Sequence, residues 1–175
     1  GSKFTIEFSF RFESASTRQG LVSSHMSYGG SHQDAIEIEI TSSNALMTGF
    51  RYNPGAIFAN VTGPALNNNT WYHAAMVVTG AQIYQYNNGS LVGSGTGISK
   101  NVTIAVPTVT PTLVIGRYSS HYLHGQMGYV RMYDRVLSPA EIERNYNAMQ
   151  IRTKTSNYID SFTPTCSGDK GKVEV

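Results

Sequence analysis

The sequence predicts an all-β fold, a β-sandwich with one short helix near the C-terminus. Several short segments alternate apolar and polar residues, turn residues separate these segments, and one capped helical stretch follows the last of them. A chain of 175 residues is long enough for one domain with its own core. The low charge content of 14% and the 17 glycines fit strands that are joined by many turns.

The first half of the chain contains strands with two distinct faces. Residues 4–12 read FTIEFSFRF, and this period of two indicates a strand with one buried face and one solvent-exposed face. Residues 36–40 (IEIEI) predict a second such strand. Shorter strands are expected at residues 21–24, 45–52 and 57–61. The glycine pair in residues 27–33 (SYGGSHQ) predicts a loop, and residues 53–55 (NPG) predict a turn.

The second half supplies a central strand and a hairpin. Residues 71–78 are apolar on both faces, which is typical of a central strand. Residues 82–86 and 91–93 are expected to pair across Asn88-Gly89, because this dipeptide provides the two positive φ angles of a type I′ turn. Further strands are expected at residues 103–106, 113–115 and 127–133.

One helix is predicted after the last strand. Ser138 is a good N-cap, Pro139 suits the first helical position, and Glu141 completes a capping box. One apolar stripe of the helix contains Ile142, Tyr146 and Met149. From residue 152 onward the chain reads as a polar tail, in which residues 158–159 and 173–175 could each add a short strand.

Charge and hydropathy argue against a nucleic-acid partner and against insertion into a membrane. The formal net charge is +2 and no cluster of lysine and arginine occurs, so no nucleic-acid partner is expected. No apolar run approaches the ~20 residues of a membrane helix, so no membrane insertion is expected. Cys166 is the only cysteine, which excludes an intrachain disulfide, and we interpret it as an unpaired thiol.

Two stretches of the chain resemble laminin G-like (concanavalin A-like lectin/glucanase) domains. They read TWYHAAMVVTGAQIYQYNNGSLVG at residues 70–93 and LVIGRYSSHYLHGQMGYVRMYDRVLSPAEIERNYNA at residues 113–148. The resemblance implies a two-sheet antiparallel jelly-roll β-sandwich over residues 1–150, followed by a polar C-terminal tail at residues 151–175. It also implies an extracellular, cell-surface or virion location.

The chain departs from this family in two places. Many relatives carry an Asp-Glu pair in the last strand, whereas residues 125–129 read GQMGY, so no metal ligand is expected there. Relatives usually begin with one more strand, but only three residues precede Phe4 here. We expect the tail segment 172–175 or a neighbouring subunit to fill the missing place, which predicts a homo- or hetero-oligomer held by strand complementation or by the tail.

Glycosidases of similar fold place three acids on one strand as Glu-x-Asp-x-Glu. Here Glu37 and Glu39 share one strand face, but Thr41 stands where the third acid would be. We interpret the two glutamates as solvated side chains and predict no catalytic residue and no enzyme activity. No metal and no cofactor are predicted. Calcium is the alternative, with oxygen ligands from Asp34, Asn53 and Asp134.

Polar and aromatic residues of three loops are the candidate ligand-binding residues. Aromatic rings beside Asp and Arg suit the apolar faces and hydroxyl groups of sugars, and the same mixture suits a protein interface. The candidates are Tyr28, His32, Asp34, Arg51, Tyr52, Tyr118, His121 and Tyr122. Trp71 is a candidate sugar-stacking residue by type, but its position in the motif favours packing in the core. Candidate N-glycosylation sites are Asn60, Asn68, Asn88 and Asn101.

The sequence therefore predicts a non-catalytic extracellular or surface module for recognition or adhesion, which binds a glycan or a protein. The alternative is a structural domain of a virion or appendage assembly that is held by interchain contacts. A glycoside hydrolase is the weakest of the three readings, since the third acid is missing.

Overall fold

The computed structural model describes residues 3–14, 16–28, 31–51, 58–80, 82–96 and 112–159. Side chains are described for the same residues except 25–28, 31–35, 51, 58, 112 and 151–159. The turn expected at residues 53–55, the strand expected at residues 103–106, Cys166 and the tail segment 172–175 lie outside the described residues.

The described elements are twelve strands and one helix. In chain order they are β1 (Phe4–Phe12), β2 (Gln19–Tyr28), β3 (Ser31–Ile40), β4 (Ala45–Arg51), β5 (Phe58–Ala65), β6 (Tyr72–Val78), β7 (Gln82–Asn87), β8 (Ser90–Thr96), β9 (Thr112–Ile115), β10 (Arg117–Tyr118), β11 (His121–Tyr122), β12 (Gly125–Tyr133) and α1 (Pro139–Ile159). Sheet A has the order β12-β1-β6-β7-β8, and sheet B has the order β5-β4-β3-β2-β9. Every strand pair is antiparallel, which confirms the predicted two-sheet β-sandwich.

The core lies between the two sheets. The inward rows carry aromatic and aliphatic side chains, among them Ile6, Phe8, Phe10, Phe12, Ile36, Ile38, Ile40, Met76 and Ile83. One polar bridge joins the sheets through this core. Thr48 Oγ1 donates to Gln85 Oε1 at 3.2 Å, and Gln85 Nε2 donates to the Leu46 carbonyl at 3.2 Å. Both polar side chains of the bridge are thereby satisfied, as burial requires.

The second face of β1 is not exposed to solvent, so the predicted wet face is wrong. Thr5, Glu7 and Ser9 are all buried. The segment that precedes α1 and the helix itself pack on this side of sheet A. Thr5 Oγ1 donates to the Arg135 carbonyl and accepts from the Leu137 amide, and Ile142 joins a second apolar cluster there. The helix layer therefore covers Thr5 and Glu7 on this face of sheet A.

The predicted loop at residues 27–33 is also wrong, because β2 and β3 continue through most of it. The pairing of the two strands runs from Gln19–Ile40 to Tyr28–Ser31 with two register shifts. In contrast, the hairpin turn at Asn88-Gly89 is confirmed by φ angles of 47° and 80°. The residue types of the turn thus predicted the hairpin at Asn88-Gly89 correctly. The glycine pair at residues 29–30 led to a predicted loop that was too long at residues 27–33.

Trp71 does not pack in the core, so that prediction is wrong as well. Its side chain is 39% exposed, and the residue immediately precedes β6. Its neighbour Tyr72 faces inward and stacks on Phe10 with ring centroids 5.8 Å apart. Because successive side chains alternate across a strand, an inward Tyr72 places Trp71 on the outer side.

The capping box at the start of α1 is confirmed. The Glu141 amide donates to Ser138 Oγ at 3.3 Å, and the Ser138 amide donates to Glu141 Oε2 at 2.8 Å. The hydrogen bond from Arg135, together with those from Ser138, lowers the pKa of Glu141 to about 2. The helix has 21 residues and is longer than the short helix predicted; it includes residues 158–159, for which a strand was considered. The division at residue 150 remains a prediction.

Replacing Ser138 with alanine should destabilise the domain. The substitution removes the hydroxyl that accepts from the Glu141 amide, and the loss of such a cap costs about 1 kcal/mol. Chemical denaturation of the full chain measures the effect. Ser138→Thr is the matched control because its hydroxyl can still accept from the Glu141 amide and donate to the Glu141 carboxylate, and equal midpoints for the alanine variant and the wild type would contradict the assignment.

Candidate functional site

The outer face of sheet B, turned away from the core, carries a row of residues in register that includes the polar side chains of Ser23, Glu37 and Asn60. One row crosses all five strands and consists of Val114, Ser23, Glu37, Gly49 and Asn60. These positions alternate with the core residues of the same strands, so they face outward. Gly49 is the one position of this row that has no side chain.

Glu37 and Glu39 lie on this outer face but are not solvated, contrary to the prediction. Glu37 is 4% exposed and Glu39 is 2% exposed, because Arg18 lies over both carboxylates. Arg18 Nε donates to the two oxygens of Glu39 at 2.9 and 2.8 Å, and Arg18 Nη2 donates to Glu37 Oε1 at 2.8 Å. The hydrogen bond to Glu39 is the main cause of a raised pKa at Arg18.

The β10–β11 hairpin folds over the same face at Gly20. A Cβ atom at residue 20 would lie 1.9 Å from the Tyr118 backbone nitrogen and 2.3 Å from the Arg117 carbonyl carbon. Ser23 Oγ donates to the Arg117 carbonyl at 2.9 Å, and the Gly116 amide donates to the Leu21 carbonyl at 2.8 Å. Gly20 therefore permits a close backbone contact that fixes the hairpin on the sheet.

The hairpin brings aromatic rings to the charged group. The Arg18 guanidinium carbon lies 5.3 Å from the centroid of the Tyr118 ring, which is cation–π distance. His121 stacks on Tyr118 at 6.4 Å between centroids, and Tyr122 is exposed beside the Arg117 guanidinium at 6.0 Å. His121 Nδ1 is buried and has no hydrogen-bond partner among the described residues. We call Arg18, Glu37, Glu39, Tyr118 and His121 the sheet B site.

A family model described as the concanavalin A-like lectin/glucanases superfamily matches residues 1–143. The chain belongs to this superfamily. No curated protein matches this chain.

Solved structures share the fold of this superfamily domain. The CBM40 of Ruminococcus gnavus IT-sialidase bound to α2,3-sialyllactose has a TM-score of 0.68 at 19% identity, and 83% of each chain is covered. The same CBM40 bound to α2,6-sialyllactose has a TM-score of 0.67 at 18% identity, with 82% of each chain covered. Trypanosoma rangeli sialidase has a TM-score of 0.65 at 15% identity, with 85% of this chain but only 23% of the sialidase covered. These likenesses establish the jelly-roll fold.

The superfamily domain brings only part of the predicted binding set together. Tyr118, His121 and Tyr122 meet on the β10–β11 hairpin. Tyr28, His32 and Asp34 lie on the β2–β3 hairpin, and Arg51 ends β4, but their side chains are not described and Tyr52 lies outside the described residues. Sequence reasoning missed Arg18. The signal that could have found it is the pair Glu37 and Glu39, since two carboxylates on a buried strand require a cation.

The described residues of this superfamily domain do not fit a metal site. Among them, no group of three His, Cys, Asp or Glu side chains could hold a metal ion. Of the calcium candidates, only Asp134 has a described side chain, and it is exposed after β12.

In the described ranges no helix is long and apolar enough to cross a membrane.

The candidate glycosylation sites of the superfamily domain differ in surroundings. Asn60 is exposed on β5, and Asn68 is exposed in the segment before β6. The Asn88 side chain is partly buried in its turn and accepts a hydrogen bond from the His73 amide at 3.0 Å. Asn101 lies outside the described residues. Glycosylation of these residues remains a prediction.

Proposed function

We propose that the chain is a non-catalytic recognition module that binds a glycan on the outer face of sheet B. The observation that carries the proposal is the position of Tyr118 and His121 above a guanidinium that is held by two buried carboxylates. Aromatic rings accept the C–H faces of sugars, and fixed polar groups orient their hydroxyls. The binding of sialyllactose by the CBM40 of Ruminococcus gnavus IT-sialidase supports a glycan ligand for a domain of this fold.

The geometry favours binding over glycoside hydrolysis. Glu37 and Glu39 are two residues apart on one strand face, and a single guanidinium is bonded to both. Hydrolysis needs two carboxyl groups that flank the scissile bond, one of them protonated as the acid. Two buried carboxylates that share one cation support a structural role beneath the ligand.

The charges at this surface do not select strongly for an anionic sugar. Arg18 and Arg117 balance Glu37 and Glu39 among the described side chains. Selection would then depend on ring stacking and on hydrogen bonds from and to the sugar hydroxyls. Neutral and sialylated oligosaccharides are therefore both appropriate in a first screen.

Replacing Tyr118 with alanine tests the proposed site. We expect the loss of the ring to weaken glycan binding by about tenfold or more, as truncation of an aromatic anchor does. A glycan array identifies the ligand and isothermal titration measures the affinity. Tyr118→Phe should retain most of the affinity, and Leu91→Ala, an exposed position on sheet A, should retain all of it. Wild-type affinity in the alanine variant would contradict the proposal.

A structural domain of a virion or appendage assembly is the second candidate function. It is favoured by apolar side chains on edge strands: Ile115 of β9 is 53% exposed, and Met132 of β12 is 54% exposed. Edge strands pair readily with a further strand, from a neighbour or from residues 172–175. Light scattering of the full chain and of a chain truncated before residue 172 tests this alternative, which a concentration-independent monomer in both cases would contradict. Either function fits display on a cell surface, outside the cell or on a virion.

A further inference from the structure

We propose a second carbohydrate site, on the outer face of sheet A around Trp71, that binds a pyranose carrying a carboxylate. This surface belongs to the opposite sheet from the sheet B site, and its residues take no part in the site described above. We call Arg11, Trp71, Gly128, Tyr129 and Arg131 the Trp71 site. The assignment depends on the position of the indole, on a set of unpartnered polar groups and on the local charge.

The indole of Trp71 reaches across sheet A to a glycine. β1 lies between β6 and β12, and a Cβ atom at Gly128 would lie 3.3 Å from Trp71 Cζ3 and 3.6 Å from Trp71 Cη2. Gly128 is the extra residue of a bulge, because Ser9 pairs with Tyr129 and Phe10 pairs with Met127. The absence of a side chain at this bulge lets the ring lie against the sheet while it remains 39% exposed.

Basic and unpartnered polar groups border the indole. The pairing of Phe10 with Tyr72 makes Arg11 and Trp71 the next residues opposite each other on β1 and the segment that precedes β6. Arg11 Nε and the Tyr129 hydroxyl are buried and have no hydrogen-bond partner among the described residues. Arg131 stacks over the Tyr129 ring, with its guanidinium carbon 4.5 Å from the centroid. The Tyr129 hydroxyl can donate at neutral pH, as an ordinary tyrosine does, and burial raises its pKa further.

The charge of this surface favours an anionic ligand. Glu7 is fully buried, and its Oε2 lies 3.8 Å from Arg131 Nη1. Its oxygens already accept from His73 at 2.8 Å and from Tyr133 at 2.9 Å. Arg131 thus shares a carboxylate that other donors already occupy, and Arg11 Nε has no partner among the described residues, so a carboxylate on the ligand would pair with these two guanidinium groups. The exposed indole provides the stacking surface for the pyranose ring.

Trp71 is the single tryptophan of the chain, so its fluorescence reports this site alone. The full chain is titrated with glucuronate, with sialyllactose and with methyl glucoside. We expect a saturable change of Trp71 emission with at least one of the two carboxylate sugars, and about tenfold weaker or no binding of the neutral one. Which carboxylate sugar binds distinguishes a hexuronate ligand from a sialylated one.

Variants separate this site from the sheet B site. Arg11→Gln and Arg131→Gln should each weaken the carboxylate sugar by about fivefold or more, and Arg131→Lys should recover part of the loss. Tyr118→Ala should leave the Trp71 titration unchanged, so a failure of the sheet B site would not affect this test. The proposal is overturned by the absence of any saturable emission change, by equal affinity for the neutral sugar, or by unchanged affinity in both glutamine variants.

Discussion

Replacing Gly20 with alanine is expected to abolish glycan binding at the sheet B site while the sandwich still folds. The added Cβ atom would lie 1.9 Å from the Tyr118 backbone nitrogen, a distance that no relaxation of a flexible side chain relieves. The β10–β11 hairpin must move away from the sheet, and Tyr118 moves with it from its place over Arg18. We expect affinity to fall by more than about tenfold and stability to fall by about 1–3 kcal/mol.

Gly93→Ala is the matched control for this substitution. It adds the same methyl group, but the nearest atom to that methyl is Cγ1 of the Val61 side chain at 3.1 Å, and Gly93 lies on the edge strand β8. Titration with the array ligand and chemical denaturation give the two readouts. An alanine at residue 20 that binds as tightly as the wild type would show that the position of the hairpin does not determine binding.

Local chemistry was sufficient to predict much of the fold. The alternation in β1 and β3 gave their inward rows, Asn88-Gly89 gave the hairpin between β7 and β8, and Ser138 with Glu141 gave the start of α1. Each of these signals involves residues that are close in sequence. A short-range pattern can therefore be interpreted before any tertiary contact is known.

The outer faces could not be predicted in this way, because residues distant in sequence cover them. Alternation shows that Glu7 and Glu39 share no face with the core residues, but it does not show what covers that other face. The partners of Glu7 are 66, 126 and 138 residues away, and Arg18 lies 21 residues from Glu39. The predicted solvent exposure of both faces was wrong for this reason.

The two binding surfaces were also predicted only in part, because contacts between residues distant in sequence form them. Tyr118, His121 and Tyr122 were predicted from their residue types within one loop, but Arg18 was not, since its role depends on the carboxylates of β3. Trp71 was assigned to the core because of its position in the motif that resembles laminin G-like domains. The bulge at Gly128 that accommodates its ring on the outer side is produced by strand pairing, which a single sequence does not display.

Replacing Glu7 with alanine is expected to cause the largest loss of stability. The Glu7 carboxylate is fully buried, and it accepts hydrogen bonds from His73 Nε2 at 2.8 Å, from the Tyr133 hydroxyl at 2.9 Å and from Asn145 Nδ2 at 3.2 Å. These hydrogen bonds connect β1 with β6, β12 and α1 through one side chain. Removing one partner of a buried pair costs about 3–5 kcal/mol, because the donors that remain lose their acceptor.

Chemical denaturation at neutral pH measures this loss. Glu143→Ala is the matched control, because it removes the same type of side chain from an exposed position of α1. We expect the control to change stability by less than about 0.5 kcal/mol. Equal unfolding free energies for the two variants would contradict a stabilising role for the buried carboxylate.

The pH dependence of stability gives a second, independent readout of the same group. Burial raises the pKa of Glu7, but hydrogen bonds from His73, Tyr133 and Asn145 outweigh burial, and the net pKa is lowered. The unfolded chain, in which a glutamate has a pKa of about 4.3, therefore takes up this proton before the folded chain does. The stabilisation is complete above that pH and is lost as the pH falls through the lowered pKa. Glu7→Gln cannot titrate, so its unfolding free energy should decline less steeply than that of the wild type between neutral and acidic pH, and parallel curves would contradict the lowered pKa.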